Sequence, residues 1–310
     1  MKFRSIGKGI TIVIPSIGRP SLKGLLLSIH LDKSLHQHET LIVVESKLIK
    51  DLKIKYKEYR CLKFIAQDSN NISKSRNTGI AASKHKVISL IDDDDLWIDG
   101  RAKIFSDFLL SSPESIVFGS TRFMNSISGR ERTLGKKQSI DMEKYIKQFK
   151  THYLARERYF LQVGNCAFLN QLNPPPFNEN LQYLEDQIWI LNSLSCGFKV
   201  FQTSELTLKY YFSRDRSNAR WNIETEQEIY RVLGDVERNL SKKYINRKSL
   251  KSIALSGNKI KFTESRQAIQ ENLGRNTLNV FSILLFSTVT RLVAFANLCQ
   301  LKFEKMFLPN

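Results

Sequence analysis

Cysteine is scarce and unpatterned: Cys61, Cys166, Cys196 and Cys299 stand far apart, with no C-x-x-C spacing. That excludes a disulfide-stapled scaffold, and a reducing, cytosolic compartment is expected. With no histidine paired to them in sequence, Cys166 and Cys196 read as buried apolar positions and not as nucleophiles. Long apolar runs are also missing. Near the start, Ile10 to Ile14 is closed by Pro15 and is too short for the apolar core of a secretory signal, so no secretion is expected. Toward the end, Thr277 to Phe307 is rich in apolar residues, but Arg291 interrupts it before the about 20 residues a bilayer span needs. It reads as an amphipathic helix at an interface or on the core. Histidine is sparse: His36 and His38 fall in a polar loop, while His30, His85 and His152 are isolated, so none suggests a metal site.

Acidic residues are outnumbered, 30 Asp and Glu against 48 Lys and Arg, for a net charge of +18. Such an excess favours phosphate-bearing or polyanionic partners, among them nucleic acid, anionic membranes and phosphorylated substrates. From Arg238 to Lys261 the chain carries Lys242, Lys243, Arg247, Lys248, Lys251 and Lys259 with no acid among them. With 310 residues, 42% of them apolar, the chain can bury one large core and a smaller appended unit.

The first half alternates short β-branched runs with helical patterns. Ile10 to Ile14 reads as a buried strand ending at Pro15, Gly18 and Pro20, followed by leucines at helical spacing from Leu22 and a second strand at Thr40 to Val44. Cys61 to Gln67 supplies a third strand, Ile72 to Lys84 a helix, and Lys86 to Ile91 a fourth strand running into Asp92, Asp93, Asp94 and Asp95. This order implies an α/β fold with a mostly parallel sheet flanked by helices. In such sheets the ligand crevice lies at the carboxyl ends of the strands, where Pro15 to Arg19, Glu45 and the acidic run all fall. Further on, Ser115 to Met124 and Val163 to Asn170 read as strands. Asn173 to Asn180 is a breaker, and a helix begins near Leu184, is capped at Gly197 and leads into another strand. Glu185 and Asp186 occupy its first turn, where the helix dipole favours acids in any case. Beyond about Ser217 the pattern becomes helical and charged.

Four adjacent aspartates at a strand end repel one another and call for a compensating cation. Mg²⁺ or Mn²⁺ would supply it, since both take carboxylate and phosphate oxygens. The alternative is a solvated turn with a helix cap. Trp97, just beyond, favours the wall of a pocket.

Three ordered blocks, Thr11–Ile29, Ser73–Trp97 and Pro176–Val200, together resemble the family 2 glycosyltransferases, and the match spans Gly9 to Ser217, about two thirds of the chain. The resemblance implies a GT-A type, Rossmann-like sheet over 1–217, with a nucleotide-sugar half at about 8–120 and an acceptor and catalytic-base half at 121–217. A basic helical extension, 218–310, would end in the amphipathic helix. It implies inverting transfer of one sugar from a nucleotide-diphosphate sugar to a hydroxyl of a glycan or lipid-linked acceptor, in cell-surface polysaccharide or glycolipid biosynthesis. The protein would then be cytoplasmic, peripheral on the inner face of an anionic membrane.

By the same resemblance Pro15 and Ser16 line the nucleotide pocket, and Glu45 stands where the family places an aspartate facing the base. Arg76 approaches the nucleotide, with a salt bridge to a neighbouring carboxylate as the alternative. Asp92 and Asp94 match the two acids of the D-x-D motif, Asp92 toward the ribose and assisting, Asp94 on the metal, while Asp93 fills the variable position. Asp186 matches the catalytic base, and Glu185 orients the donor sugar or the helix start. Arg214 falls near a histidine of the family that reaches the metal or diphosphate, and with Arg216 it could neutralise the diphosphate instead. The segment Arg216–Trp221 lacks the Q-x-x-R-W signature of processive synthases, which implies one sugar per encounter.

Two other functions would also use an acidic strand end or a basic surface. A nucleotidyltransferase would want a glycine- and basic-rich phosphate loop after the first strand, of which Pro15 to Ser21 is a poor version. A nucleic-acid-binding protein would want a reading motif or an aromatic-interleaved basic stripe, and neither is present, so no nucleic acid partner is expected.

Overall fold

The computed structural model describes residues 9–35, 37–59, 61–125, 131–145, 161–181 and 184–212. All of these lie in the first of two units into which the chain divides, Met1–Thr225 and Glu226–Asn310. Arg214, Arg216, the basic segment from Arg238 and the apolar stretch from Thr277 lie outside the described residues.

The first half follows the expected alternation: β1 (Gly9–Pro15), α1 (Leu22–His30), β2 (Gln37–Glu45), α2 (Ile49–Lys55), β3 (Leu62–Gln67), α3 (Ile72–Ala82) and β4 (Val87–Leu90). Strands β3, β2, β1 and β4 lie side by side and run parallel. β1 is buried along its whole length, as its unbroken Ile-Thr-Ile-Val-Ile run requires of a strand covered on both faces. His38, expected in a loop, belongs to β2 and pairs with Ile10.

Helix α3 presses on β1 and β2 at Gly79, where a Cβ would collide with Val13 Cγ1. Only glycine allows that approach, which sets the height of α3 above the sheet.

Past β4 the sheet continues through β5 (Asp95–Trp97), α4 (Arg101–Ser111), β6 (Ser115–Asn125), β7 (Glu131–Leu134), β8 (Gln138–Ile140), β9 (Cys166–Leu169), α5 (Glu185–Ser195) and β10 (Lys199–Phe212). β9 runs antiparallel between β4 and β6, and β6 pairs in parallel with the long β10. β5 closes that edge antiparallel to β10, with Asp95 opposite Tyr210 and Trp97 opposite Leu208. The long strands thus form a mostly parallel mixed α/β sheet flanked by helices, and β9 supplies the main reversal.

At the far end of α5 the backbone N–H of Gly197 donates to Leu194 O and that of Phe198 to Ser193 O. With Gly197 at φ +83°, this is the left-handed helix stop expected from sequence.

Trp97 is a core residue and not a pocket wall. It is buried, its indole N–H donates to Asp32 Oδ2 at 2.6 Å, and its ring lies against the Arg101 guanidinium. Cys196, expected to be buried, is exposed at the end of α5. Cys166 is buried in β9, which pushes its thiol up to about 12 and leaves it without thiolate at neutral pH.

Candidate functional site

The acidic run leaves β4 through a tight turn, closed by the Asp95 N–H donating to the Asp92 carbonyl at 3.2 Å, and its side chains alternate between inside and outside. Asp93 is only 1% exposed, whereas the side chains of Asp92 and Asp94 are 31% and 21% exposed. Asp95 is buried again as β5 begins. The run is therefore two pairs with different work, and the outward pair is Asp92 and Asp94.

Asp93 organises the loop that follows β1. Its carboxylate accepts from Ser16 Oγ at 2.7 Å, the Ile17 backbone N–H at 3.2 Å and Arg19 Nη1 at 2.5 Å. Ser16 Oγ in turn accepts from the Gly18 N–H at 2.9 Å, and Gly18 takes a φ of +80° that favours glycine. Pro15 and Ser16 are buried by this arrangement. Arg19 also lies 3.8 Å from Asp94 Oδ2, so a cation stands beside the outward pair. Glu45, at the end of β2, is half-buried and paired with Lys47.

Arg76 is the centre of the site. It is buried on α3, and its two terminal nitrogens divide between carboxylates from distant segments: Nη2 donates to Asp92 at 3.0 Å, and Nη1 to Glu185 at 3.1 Å. The salt bridge that the sequence offers as the alternative is thus present twice over. Burial by itself would push this guanidinium down, but Asp92, Glu185 and Asp186 outweigh it and hold Arg76 above its ordinary value. Its guanidinium also lies 5.3 Å from the centre of the Phe177 ring. Phe177 is fixed from α3, since Asn77 accepts its N–H at 2.8 Å and donates to its carbonyl at 2.9 Å. On the other side, Phe177 stacks on Trp189 of α5 at 4.7 Å.

Helix α5 starts abruptly. Leu184, a bulky residue, takes the left-handed conformation at φ 59°, and Glu185 and Asp186 follow in the first turn. Such backbone strain in a large side chain is uncommon and concentrates at working sites. Asp186 accepts from the Gln187 backbone N–H at 2.7 Å and from Gln187 Nε2 at 3.0 Å. Burial raises the Asp186 carboxyl most, Glu185 raises it further, and Gln187 and Arg76 pull back, leaving it pushed up to about 7. A carboxylate titrating near neutrality can take a proton at working pH.

Among the described residues, no group of three or more His, Cys, Asp and Glu gathers that could hold a metal by itself. Asp92 and Asp94 offer hard oxygen donors from two carboxylates. That fits a divalent cation of the Mg²⁺ type, which completes its shell with phosphate oxygens and water.

The structure therefore brings together Asp92, Asp94, Arg76, Glu185 and Asp186, with the loop at Pro15 and Ser16 held to the same strand end through Asp93. Sequence reasoning had Arg19 only as the end of the Pro15 to Arg19 loop, and passed over Asn77, Phe177 and Gln187 as site residues. Of these only Gln187, beside the acidic pair, carried a visible signal.

No curated relative matches the sequence. Among solved structures, residues 1–349 of S. aureus TarS in complex with UDP-GlcNAc match at 14% identity and a TM-score of 0.55, covering 87% of this chain and 74% of that one. The same region of TarS in a second crystal structure matches at 13% identity and a TM-score of 0.51, covering 87% and 73%. A further TarS crystal structure matches at 14% and 0.52, over 73% of this chain but only 43% of the other. This chain thus spans less than half the length of that TarS chain, and identities this low establish the fold alone. The model of glycosyl transferase family 2 matches residues 11–172, more than half of the chain. That segment runs from β1 through the acidic run and β9, and the chain belongs to glycosyl transferase family 2.

Proposed function

We propose that this protein transfers one sugar, with inversion, from a nucleotide-diphosphate sugar to a hydroxyl of a glycan or lipid-linked acceptor. The observation that carries the reading is the Arg76 bridge, which joins the acidic end of β4 to the first turn of α5 through one guanidinium. A donor-binding acid and a candidate base on separate segments thereby share one site, as displacement from opposite faces of a sugar requires. The UDP-GlcNAc bound to TarS supports a nucleotide sugar as donor.

In this reading Asp186 accepts the proton of the acceptor hydroxyl while its oxygen forms a bond to the anomeric carbon. The bond from that carbon to the diphosphate oxygen breaks with its electron pair, and the nucleoside diphosphate departs. A general base of this kind contributes roughly 10²–10⁴-fold. Asp94, assisted by Asp92, would hold Mg²⁺ or Mn²⁺, whose chemistry is to neutralise charge on the leaving diphosphate. Pro15 and Ser16 shape the nucleotide side, Glu45 faces the base, Arg76 fixes Asp92 against the nucleotide, and Glu185 orients the donor sugar. Asp93 serves the same side by holding the β1 loop. Within a cell the reading places the protein in the cytoplasm, peripheral on an anionic membrane, in cell-surface polysaccharide or glycolipid assembly.

Thermal shift with a panel of nucleotide sugars, with and without Mn²⁺, tests the donor. A ligand at about 100 times its Kd adds roughly 2.7 kcal/mol of stability, a clear rise in melting temperature. The stabilising donor is then followed for release of nucleoside diphosphate, which Asp94→Ala and Asp186→Asn should each abolish. If no nucleotide diphosphate or nucleotide sugar raises the melting temperature under either condition, the proposal fails.

A further inference from the structure

Asp186 is gripped by the residue that follows it. The backbone N–H of Gln187 donates to one carboxylate oxygen at 2.7 Å and its side-chain Nε2 to the other at 3.0 Å, so a single residue fixes the plane of the carboxylate. An amide can point either end at a neighbour, and here the choice is made from behind. Tyr145 is completely buried, and its hydroxyl donates to Gln187 Oε1 at 2.5 Å. Burial pushes that phenol well above its ordinary value, so it remains a donor at every relevant pH. With Oε1 taken, Nε2 must face the opposite way, where it reaches Asp186 and the Leu161 carbonyl at 3.3 Å.

Fold maintenance alone does not call for this arrangement. A buried glutamine could satisfy Tyr145 and Leu161 without touching Asp186, and it spends a third bond on a carboxylate already held by its backbone. The geometry comes with the strained turn at Leu184, which sets Asp186 and Gln187 in the first turn of α5.

We propose that Tyr145 and Gln187 are positioning residues that aim the Asp186 carboxylate and hold it in its proton-accepting form. This rests on the reading of Asp186 as the base. The other charged or titratable groups acting on Asp186 among the described residues are Glu185, which disfavours its ionised form, and Arg76, which favours it. Donation from Gln187 works with Arg76, because a hydrogen bond to a carboxylate stabilises the charged form. Withdrawing it makes Asp186 hold its proton to higher pH.

The test is the pH dependence of kcat/KM for the wild type, Gln187→Met and Tyr145→Phe, with nucleoside diphosphate affinity measured by calorimetry as a check on folding. In Gln187→Met the acid limb should move up by about one pH unit, the weight of a lost hydrogen bond to a charge. Activity at neutral pH falls roughly fivefold and recovers toward alkaline pH. In Tyr145→Phe the limb should move the same way by less, since the amide remains but is free to turn. Nucleotide affinity should stay within about twofold in both. If both variants bind nucleotide and keep the wild-type acid limb, or lose activity equally at every pH, the relay is refuted. Should Gln187→Met fail to fold, Tyr145→Phe, which removes a single oxygen, decides alone. Asp186→Asn is run beside them. If it retains wild-type turnover, the base assignment falls and the relay with it, whereas an inactive Asp186→Asn with unmoved limbs in the other two refutes the relay alone.

Discussion

Two arginines lie buried near the end of β4, one from α3 and one from α4, and the molecule holds them in opposite ways. Arg76 faces two carboxylates and is driven above its ordinary value. Arg101 makes no ion pair among the described residues. One of its nitrogens reaches the Leu90 carbonyl at 2.7 Å, Ser89 Oγ at 3.1 Å and the Gly164 carbonyl at 3.2 Å, and its plane lies against Trp97 and Phe105. Burial pushes it down to about 9, still protonated at neutral pH, because Cys166, Asp95, Asp92 and Asp32 only partly offset the lost solvation. The α3 side thus carries a charge spent on other charges, and the α4 side a charge spent on backbone and aromatic faces. The first arrangement shapes an electrostatic site; the second splices the end of β4 to the turn before β9, where Gly164 backs against the Asp92 carboxylate.

The comparison can be broken most forcefully at Arg76. Replacing it with methionine leaves Asp92 and Glu185 uncompensated, and urea unfolding should show a loss of about 3 kcal/mol together with loss of nucleotide binding. Arg101→Met removes three hydrogen bonds but also relieves the cost of a buried, unpaired cation, so the same measurement should show about 1–2 kcal/mol. An equal loss in the two variants would mean that the distant aspartates serve Arg101 as true partners.

Asp186 sharpens the contrast from the acidic side, being a carboxylate with no ion pair among the described residues. Its folded value, about 7, lies above the ordinary 3.8, so the folded chain binds this proton more tightly than the unfolded chain. Its contribution to stability is complete at pH below 3.8 and is lost as pH rises through about 7. Asp186→Asn should therefore be more stable than wild type at pH 8, by about 1 kcal/mol, and show no such gain near pH 3. A loss at pH 8 would show that the carboxylate is better paired than the structure indicates.

Much of this was legible in the sequence where a local pattern sets the structure. The β-branched run of β1, the leucines of α1 and the glycine stop after α5 each encode their own element. The family blocks pointed to Asp92, Asp94, Arg76 and Asp186, and the fold gathers all of them. What sequence could not supply is which member of an acidic run faces inward. That is decided by pairing β5 to β10 and by the β1 loop claiming Asp93. Trp97 was misjudged for the same reason, since its surroundings come from Asp32 and Arg101 and not from its neighbours in the chain. Gln187 and Tyr145 meet only in the folded state, across 42 positions, and nothing local to either foretells it.

The pairing of β5 with β10 also bears on how the protein is made. Asp95 ends the acidic run opposite Tyr210, in the last strand described, so a nascent chain that has not yet delivered β10 holds the run through the β1 loop, Arg76 and Asp32 but lacks the strand that pairs with β5. Contacts between segments so far apart close late, because the intervening chain must lose its freedom first. The corner at the end of β4 and β5 is then among the last parts to become fully rigid during synthesis. A ribosome-bound fragment ending before β10 would carry the family's most recognisable residues without the lattice that makes them act together.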